Sequence, residues 1–194
     1  AESVNNLAGL YRHMGLFDQS VTLMERALSM NEKALGREHP TVAMSCNNLA
    51  ELYKLVGRYD KALPLYQRAL AIAEKSLGPE HEATASGLNN LAGTYYALGS
   101  PEKGEPLLIR ALAIREKRFG TAHSETAQTL NNLAMHYRKQ KDYARALPLQ
   151  ERATAIKRRT AGDEHYESAI ALGTLAGLYD ANQRPVEALR LLEQ

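Results

Sequence analysis

Histidines recur at His39, His81, His123 and His165, one every 42 residues, and a regular histidine series raises the question of a metal. A zinc ion needs its ligand atoms about 2.0–2.3 Å away. Packed helices stand about 8–10 Å apart, so joints between them do not converge on one ion. The run His81-Glu82-Ala83-Thr84-Ala85 lacks the second histidine of a zinc-protease helix. These histidines are therefore expected to order the joints or to cap the helices that follow, and no metal is expected. Acidic pairs such as Asp163-Glu164 fall in the same joints and read as solvated. The one cysteine, Cys46, sits at a packing position and reads as a small buried hydrophobe. The chain has no GxGxxG, no P-loop and no GxSxG. The expectation is a protein that is not an enzyme and carries no cofactor.

Carboxamides are the other recurring chemistry. The tetrapeptide NNLA stands at Asn5, Asn47, Asn89 and Asn131, and GTLA takes its place at Gly173. Asparagine costs about 0.6 kcal/mol of helix propensity relative to alanine. A pair of them in every repeat therefore points to a face with work other than helix stability. Each side chain offers one acceptor and two donors.

Composition narrows the partners. Lys plus Arg is 24 and Asp plus Glu is 22, a net charge of +2, which is no nucleic-acid signature. No apolar run approaches the ~18 residues of a membrane span. A single cysteine allows no intramolecular disulfide and fits a reducing compartment, so the reading is cytoplasmic. Aromatics are ten Tyr, two Phe and no Trp, and half of the tyrosines fall in one register: Tyr11, Tyr53, Tyr95, Tyr137 and Tyr179.

The whole chain keeps that 42-residue period without insertion or deletion. Small residues recur at Ser20, Ala62, Gly104, Ala146 and Ala188, and glycines at Gly36, Gly78, Gly120 and Gly162. Each repeat reads as two helices. In the second repeat one is expected over about 40–56, ended by Gly57, and the other over about 61–77, capped by Asp60. Pro64, Pro106 and Pro148 are expected in the first turn or so of the second helix, where a missing N–H costs little. Two helices cannot bury their faces alone, whereas stacked neighbours can, so the pattern predicts an all-α solenoid with a continuous core. The recurring tyrosine reads as packing between helices.

The columns Leu49, Ala50, Tyr53, Gly57, Tyr59, Ala62 and Ala69 resemble the tetratricopeptide repeat (TPR). The ordinary repeat has about 34 residues. The longer period here, with the joint Glu32-Lys33-Ala34-Leu35-Gly36-Arg37-Glu38-His39-Pro40, is similar to the kinesin light chain type. The resemblance implies a right-handed α-solenoid of antiparallel helix pairs, a TPR superhelix of nine to ten helices. Residues 1–194 form a single array, with units of about 1–39, 40–81, 82–123, 124–165 and a shortened 166–194. Several positions depart from the pattern. Pro101 and Pro185 replace the aromatic, Lys141 and Gln183 replace the helix-ending glycine, and Arg158-Arg159 replaces Glu-Lys. Altered joints are therefore expected in the last two repeats.

By the same resemblance, the free face of each first helix lines a concave groove. On a helical wheel that face carries Asn5, Gly9 and Arg12, then Asn47, Glu51 and Lys54, then Asn89, Gly93 and Tyr96, then Asn131, Met135 and Arg138. Glycine removes a side chain from the groove floor. The first asparagine of each pair could hold an extended peptide by its backbone, or could bond within the fold. The second, nearer the seam, is expected to stitch one repeat to the next. Arg12, Lys54 and Arg138 could select acidic side chains. The reading is a module for a peptide or protein partner bound as an extended acidic segment, with no nucleic acid and no membrane. The alternative is a structural scaffold without a groove ligand. Ala1 begins inside a first helix and Gln194 falls inside a second, without the polar caps that end a solenoid. This favours a segment of a longer array, or end-to-end self-association.

Overall fold

The computed structural model describes residues 2–162 and 165–193, so Ala1, the Asp163-Glu164 pair and Gln194 lie outside the described residues. The described residues form ten helices: α1 (Glu2–His13), α2 (Phe17–Leu35), α3 (Pro40–Leu55), α4 (Tyr59–Leu77), α5 (Glu82–Ala97), α6 (Pro101–Phe119), α7 (Ser124–Lys139), α8 (Tyr143–Ala161), α9 (Tyr166–Ala181) and α10 (Pro185–Leu192). Odd-numbered helices are the first of each repeat and even-numbered helices the second. The chain divides into two compact parts, Ala1–Gly104 and Glu105–Gln194. In the first, α1 to α5 pack in sequence, each on its neighbours; in the second, α7 to α10 do the same.

The first-to-second joints are all one motif. After α3, Arg58 N–H bonds to the Tyr53 carbonyl at 2.8 Å and Gly57 N–H to that of Lys54 at 3.1 Å. This is a Schellman ending with Gly57 left-handed at φ 75°. The register tyrosine supplies the accepting carbonyl at every such joint, from Tyr11 to Tyr179. Lys141 and Gln183 close their joints with the same bonds, at φ 61° and 58°. The altered joints expected there do not occur. The backbone keeps its path and the side chain accepts a conformation that costs an L-residue roughly 1–2 kcal/mol. Pro101 and Pro185 each begin a helix, where a fixed φ is pre-organised.

The second-to-first joints turn on Gly36, Gly78, Gly120 and Gly162. Gly78 has φ 100° and ψ 159°, a region closed to side chains. Three residues later the histidine caps the next helix. Nδ1 of His39, His81, His123 and His165 accepts from the N–H of Thr41, Ala83, Glu125 and Glu167, at 3.1–3.2 Å. Arginines brace the same joints from the following repeat. Arg68 pairs with Glu32 and donates to the Arg37 carbonyl, and Arg152 repeats this with Glu116 and the Thr121 carbonyl. Arg159, which departs from the repeat pattern, donates to the Ala122 carbonyl from the place where Lys75 pairs with Glu38.

Two expectations are corrected at the second helices. The N-cap of α4 is Arg58, so Asp60 lies in the first turn and is not the cap; its carboxylate there still suits the helix dipole. Because α4 begins at Tyr59, Pro64 sits in the helix interior, as do Pro106 and Pro148 in α6 and α8. Each removes one intrahelical hydrogen bond, on an exposed side of the helix.

Small residues set the helix spacing. Ala8, Ala50, Ala134, Ala62 and Ala146 are fully buried. Ser20 Oγ donates to the Ala8 carbonyl at 2.7 Å, and a Cβ on Gly104 would lie 3.0 Å from the Ala92 carbonyl. Backbones therefore meet almost directly within a repeat. Around them pack Leu49, Leu52 and Tyr66 in the first part, and Leu130, Ala127, Ala153 and Ile156 in the second. Cys46 is fully buried, and burial pushes its thiol pKa up. No helix among the described residues is long and apolar enough to cross a membrane.

Candidate partner-binding clefts

The register tyrosines bind the repeats together by more than their rings. Tyr53 donates its hydroxyl to Glu25 at 2.5 Å, and Tyr179 to Glu151 at 2.5 Å, each acceptor lying in the preceding second helix. Tyr95 accepts from Gln67 at 3.0 Å. In the fourth repeat the matching position is Ile109, which has no oxygen; Glu105, one turn earlier, accepts from Tyr137 at 2.8 Å instead. A cation covers most of these rings: Lys61 over Tyr53, Lys103 over Tyr95, Arg145 over Tyr137 and Arg184 over Tyr179. Burial, then the Glu25 hydrogen bond, pushes the Tyr53 hydroxyl up to about 12. The hydroxyls of Tyr137 and Tyr179 are raised too, the first chiefly by burial and the second chiefly by its bond to Glu151. This layer is structural, as its spacing implied, but its polar partners were not foreseen.

The proposed groove residues divide between the two compact parts. In the first, Asn5 is half-buried and Arg12 is exposed in the last turn of α1. Glu51 and Lys54 form an ion pair at 3.2 Å, and Glu51 also accepts from the buried Tyr66 hydroxyl at 2.7 Å. Burial and that carboxylate raise the Tyr66 pKa strongly. Asn89 is 8% exposed and donates to the Ala85 carbonyl of its own helix at 3.1 Å. Tyr96 is half-buried. A Cβ on Gly9 or Gly93 would meet nothing within 4 Å, so packing does not require glycine there. In the second part Asn131 and Met135 are half-buried, and Arg138 Nη1 lies 3.7 Å from Met135 Sδ. Asn90, the second of its pair, donates to Asn47 Oδ1 at 3.0 Å and so ties α5 to α3.

Of these positions, Asn47 and Asn90 line one cleft among the described residues and Asn131 lines another. A cleft of about 360 Å³ lies between α3 and α5 over α4, walled by Pro40, Met44 and Asn47, Ala83 and Gly87, with Ala69, Ala73 and Leu77 beneath. A second, of about 510 Å³, lies between α7 and α9 over α8. Its walls are Ser124, Gln128 and Asn131, Glu167 and Ile170, and its floor is Gln150, Ala153 and Lys157. The two occupy the same place in the repeat, two periods apart. They use the N-terminal halves of the first helices, whereas the wheel reading centred on positions one to two turns further on.

One floor position decides their chemistry. It is held in turn by Asn31, Ala73, Arg115 and Lys157. Three of these reach across to the next first helix. Asn31 donates to Ser45 at 2.8 Å, Arg115 pairs with Glu125 at 2.8 Å, and Lys157 pairs with Glu167 at 2.5 Å. Ala73 and Ala83 make no such bridge, and no charged side chain among the described residues lines the α3–α5 cleft. Met44 is 66% exposed and Leu77 45% exposed at its edge.

The comparisons with known proteins agree with this architecture. The tetratricopeptide repeat model matches residues 1–75, 43–117, 84–159 and 125–194. None of the curated proteins compared with the chain matches it. Among solved structures, the chain is similar to a Podosopora anserina protein with nearly identical, kinesin light chain-type TPR-like repeats: 30% identity, TM-score 0.85, covering 99% of this chain and 91% of that one. A single-substitution variant of that protein matches at 30% identity and TM-score 0.87, over 100% and 91%. BtubC (BKLC) from P. vanneervenii matches at 27% identity and TM-score 0.87, over 99% of this chain and 76% of that one. With the repeat model matched from end to end, and the joints and small-residue seams in register, this chain belongs to the tetratricopeptide repeat family.

Proposed function

We propose that the chain is a protein–protein interaction module that holds an extended partner segment along the free faces of its first helices, and that binding, not catalysis, is its role. TPR proteins generally mediate protein–protein contacts. The observation that carries the reading is the pair of clefts in the same repeat register, each walled by two first helices and each lined by the first asparagine of a pair, Asn47 or Asn131. An acidic segment fits best. Arg138 stands seven residues beyond Asn131, about 10 Å along the helix. Three residues of extended peptide span that distance. Lys54 stands in the same relation to Asn47, but its charge is shared with Glu51, so Arg138 and the exposed Arg12 are the stronger anion partners.

Panning a displayed random heptapeptide library on the chain tests this. Selected peptides are expected to carry a net negative charge, to weaken as NaCl is raised, and to weaken again against Arg138→Ala. Neutral winners with salt-independent affinity would remove the acidic reading, and no winners at all would remove the peptide reading.

A further inference from the structure

The α7–α9 cleft contains one side chain that the fold leaves unserved. Gln150 is fully buried, and neither its Oε1 nor its Nε2 has a hydrogen-bond partner among the described residues. It lines the cleft together with Lys157 and Asn131. The charged side chains of that cleft are all paired: Glu125 with Arg115, and Lys157 with Glu167. A buried carboxamide without partners is costly, and native folds nearly always satisfy one.

The repeat itself explains how the omission arises. The same column holds Met24, Tyr66, Leu108 and Gln150. Met24 and Leu108 bring no polar atom that needs a partner. Tyr66 has its partner in Glu51, at 2.7 Å. The position equivalent to Glu51 in the fourth repeat is Met135, which has no oxygen to offer. A polar residue thus stands in a core column without the partner that its counterpart has, at the floor of a cleft open to the partner face.

We infer that the α7–α9 cleft is a subsite for an amide group of the partner segment, which pairs with the Gln150 carboxamide as donor and acceptor at once. An amide carries its donor and its acceptor on separate atoms and so matches both Gln150 atoms at once, whereas a hydroxyl carries both on a single oxygen. The source is an Asn or Gln side chain or a backbone peptide unit. This rests on the peptide-binding reading above.

The test is the same heptapeptide library panned on the wild-type chain, on Gln150→Leu and on Gln150→Met. Both replacements are residues that the column already accommodates, as Leu108 and Met24. With a side chain as the source, wild-type winners share an Asn or Gln at one fixed position, and both variants lose that preference. With a backbone unit as the source, no residue is preferred there. N-methylation of one peptide bond in a wild-type winner then weakens binding to the wild type by roughly tenfold and leaves binding to the variants unchanged. Without peptide, both variants unfold at a urea midpoint equal to or above that of the wild type. The inference is overturned if wild type and variants select the same consensus and tolerate the same N-methylations, the outcome expected if trapped water serves Gln150. It is also overturned if both variants unfold well below the wild type, because the carboxamide is then partnered within the fold. Acidic winners lacking both amide signatures would sink the subsite and leave the peptide reading standing. No winners at all would sink both.

Discussion

The α3–α5 and α7–α9 clefts are built from the same columns of the repeat, yet they are chemical opposites. In the first, Ala73 and Ala83 leave the cleft without an ion pair across it, and the buried hydroxyl of Tyr66 is satisfied by Glu51. In the second, Lys157 and Glu167 bridge the cleft, and Gln150 has no partner among the described residues. The helices, caps and seams around both follow one pattern. What differs is a few side chains at columns that the scaffold leaves unconstrained. A repeat fold separates its two tasks in this way. Columns that face a neighbouring helix hold the array together, and columns that face a cleft are free to set what binds there.

The comparison is most easily broken by moving the bridge. Placing Ala73→Lys and Ala83→Glu together should put an ion pair across the α3–α5 cleft. An apolar side chain fully buried there contributes about 1.5–3 kcal/mol, so peptides anchored in it should lose roughly 10- to 100-fold in affinity by calorimetry. Unchanged affinity would show that no apolar anchor enters. Next in size is Glu51→Ala, which leaves the Tyr66 hydroxyl buried without its acceptor. It should lower stability by about 1–3 kcal/mol in urea unfolding, and Tyr66→Phe added to it should recover part of the loss. Additive losses in the double variant would mean that the two side chains are not coupled. The reciprocal change, Met135→Glu, offers Gln150 the acceptor that Tyr66 has. A gain of about 1 kcal/mol is expected; a loss would mean that the two columns do not meet in the second part as they do in the first. Smallest is Lys141→Gly, which restores at one joint the residue found at Gly57. Relief of the left-handed strain should exceed the entropy that glycine adds to the unfolded chain, raising stability by about 0.5–1 kcal/mol. No gain would mean that Lys141 makes a compensating contact.

These two kinds of column also mark how much was legible beforehand. Periodicity located the helices to within one or two residues, because the burial of one face in every repeat is what creates the period. The histidine caps were among the roles expected from position alone. The errors arose where the reading relied on one helix at a time. A wheel ranks the sides of a helix but does not show what lies across from it, so Asn89 was assigned to the free face although it is 8% exposed. The cleft chemistry depends on pairs such as Ala73 with Ala83, or Lys157 with Glu167, which belong to different helices and different repeats. Glu105 answers Tyr137 from a neighbouring turn because Ile109 cannot, an exchange split between two repeat columns so that neither shows it alone. Reading repeats for what they share hides the positions at which they differ, and those are where the two clefts acquire their character.

The braces between repeats run both ways: Asn31, Gln67, Arg115 and Lys157 donate forward to the following repeat, and another set donates back. Tyr53 donates back to Glu25, Arg68 to the Arg37 carbonyl, Asn90 to Asn47 and Arg152 to the Thr121 carbonyl. In each, the donor belongs to the later repeat and the acceptor to the earlier one. A ribosome releases the chain in the same order, at about 5–20 residues per second. For the bonds that donate back, the later repeat leaves the exit tunnel with the donors and finds the acceptors on a surface already folded; for the forward bridges the roles are exchanged. The joint carbonyls wait only for the next second helix, a delay of seconds at that pace. Whichever way a bond points, each new pair of helices completes bonds whose other half is already held by the repeat before it.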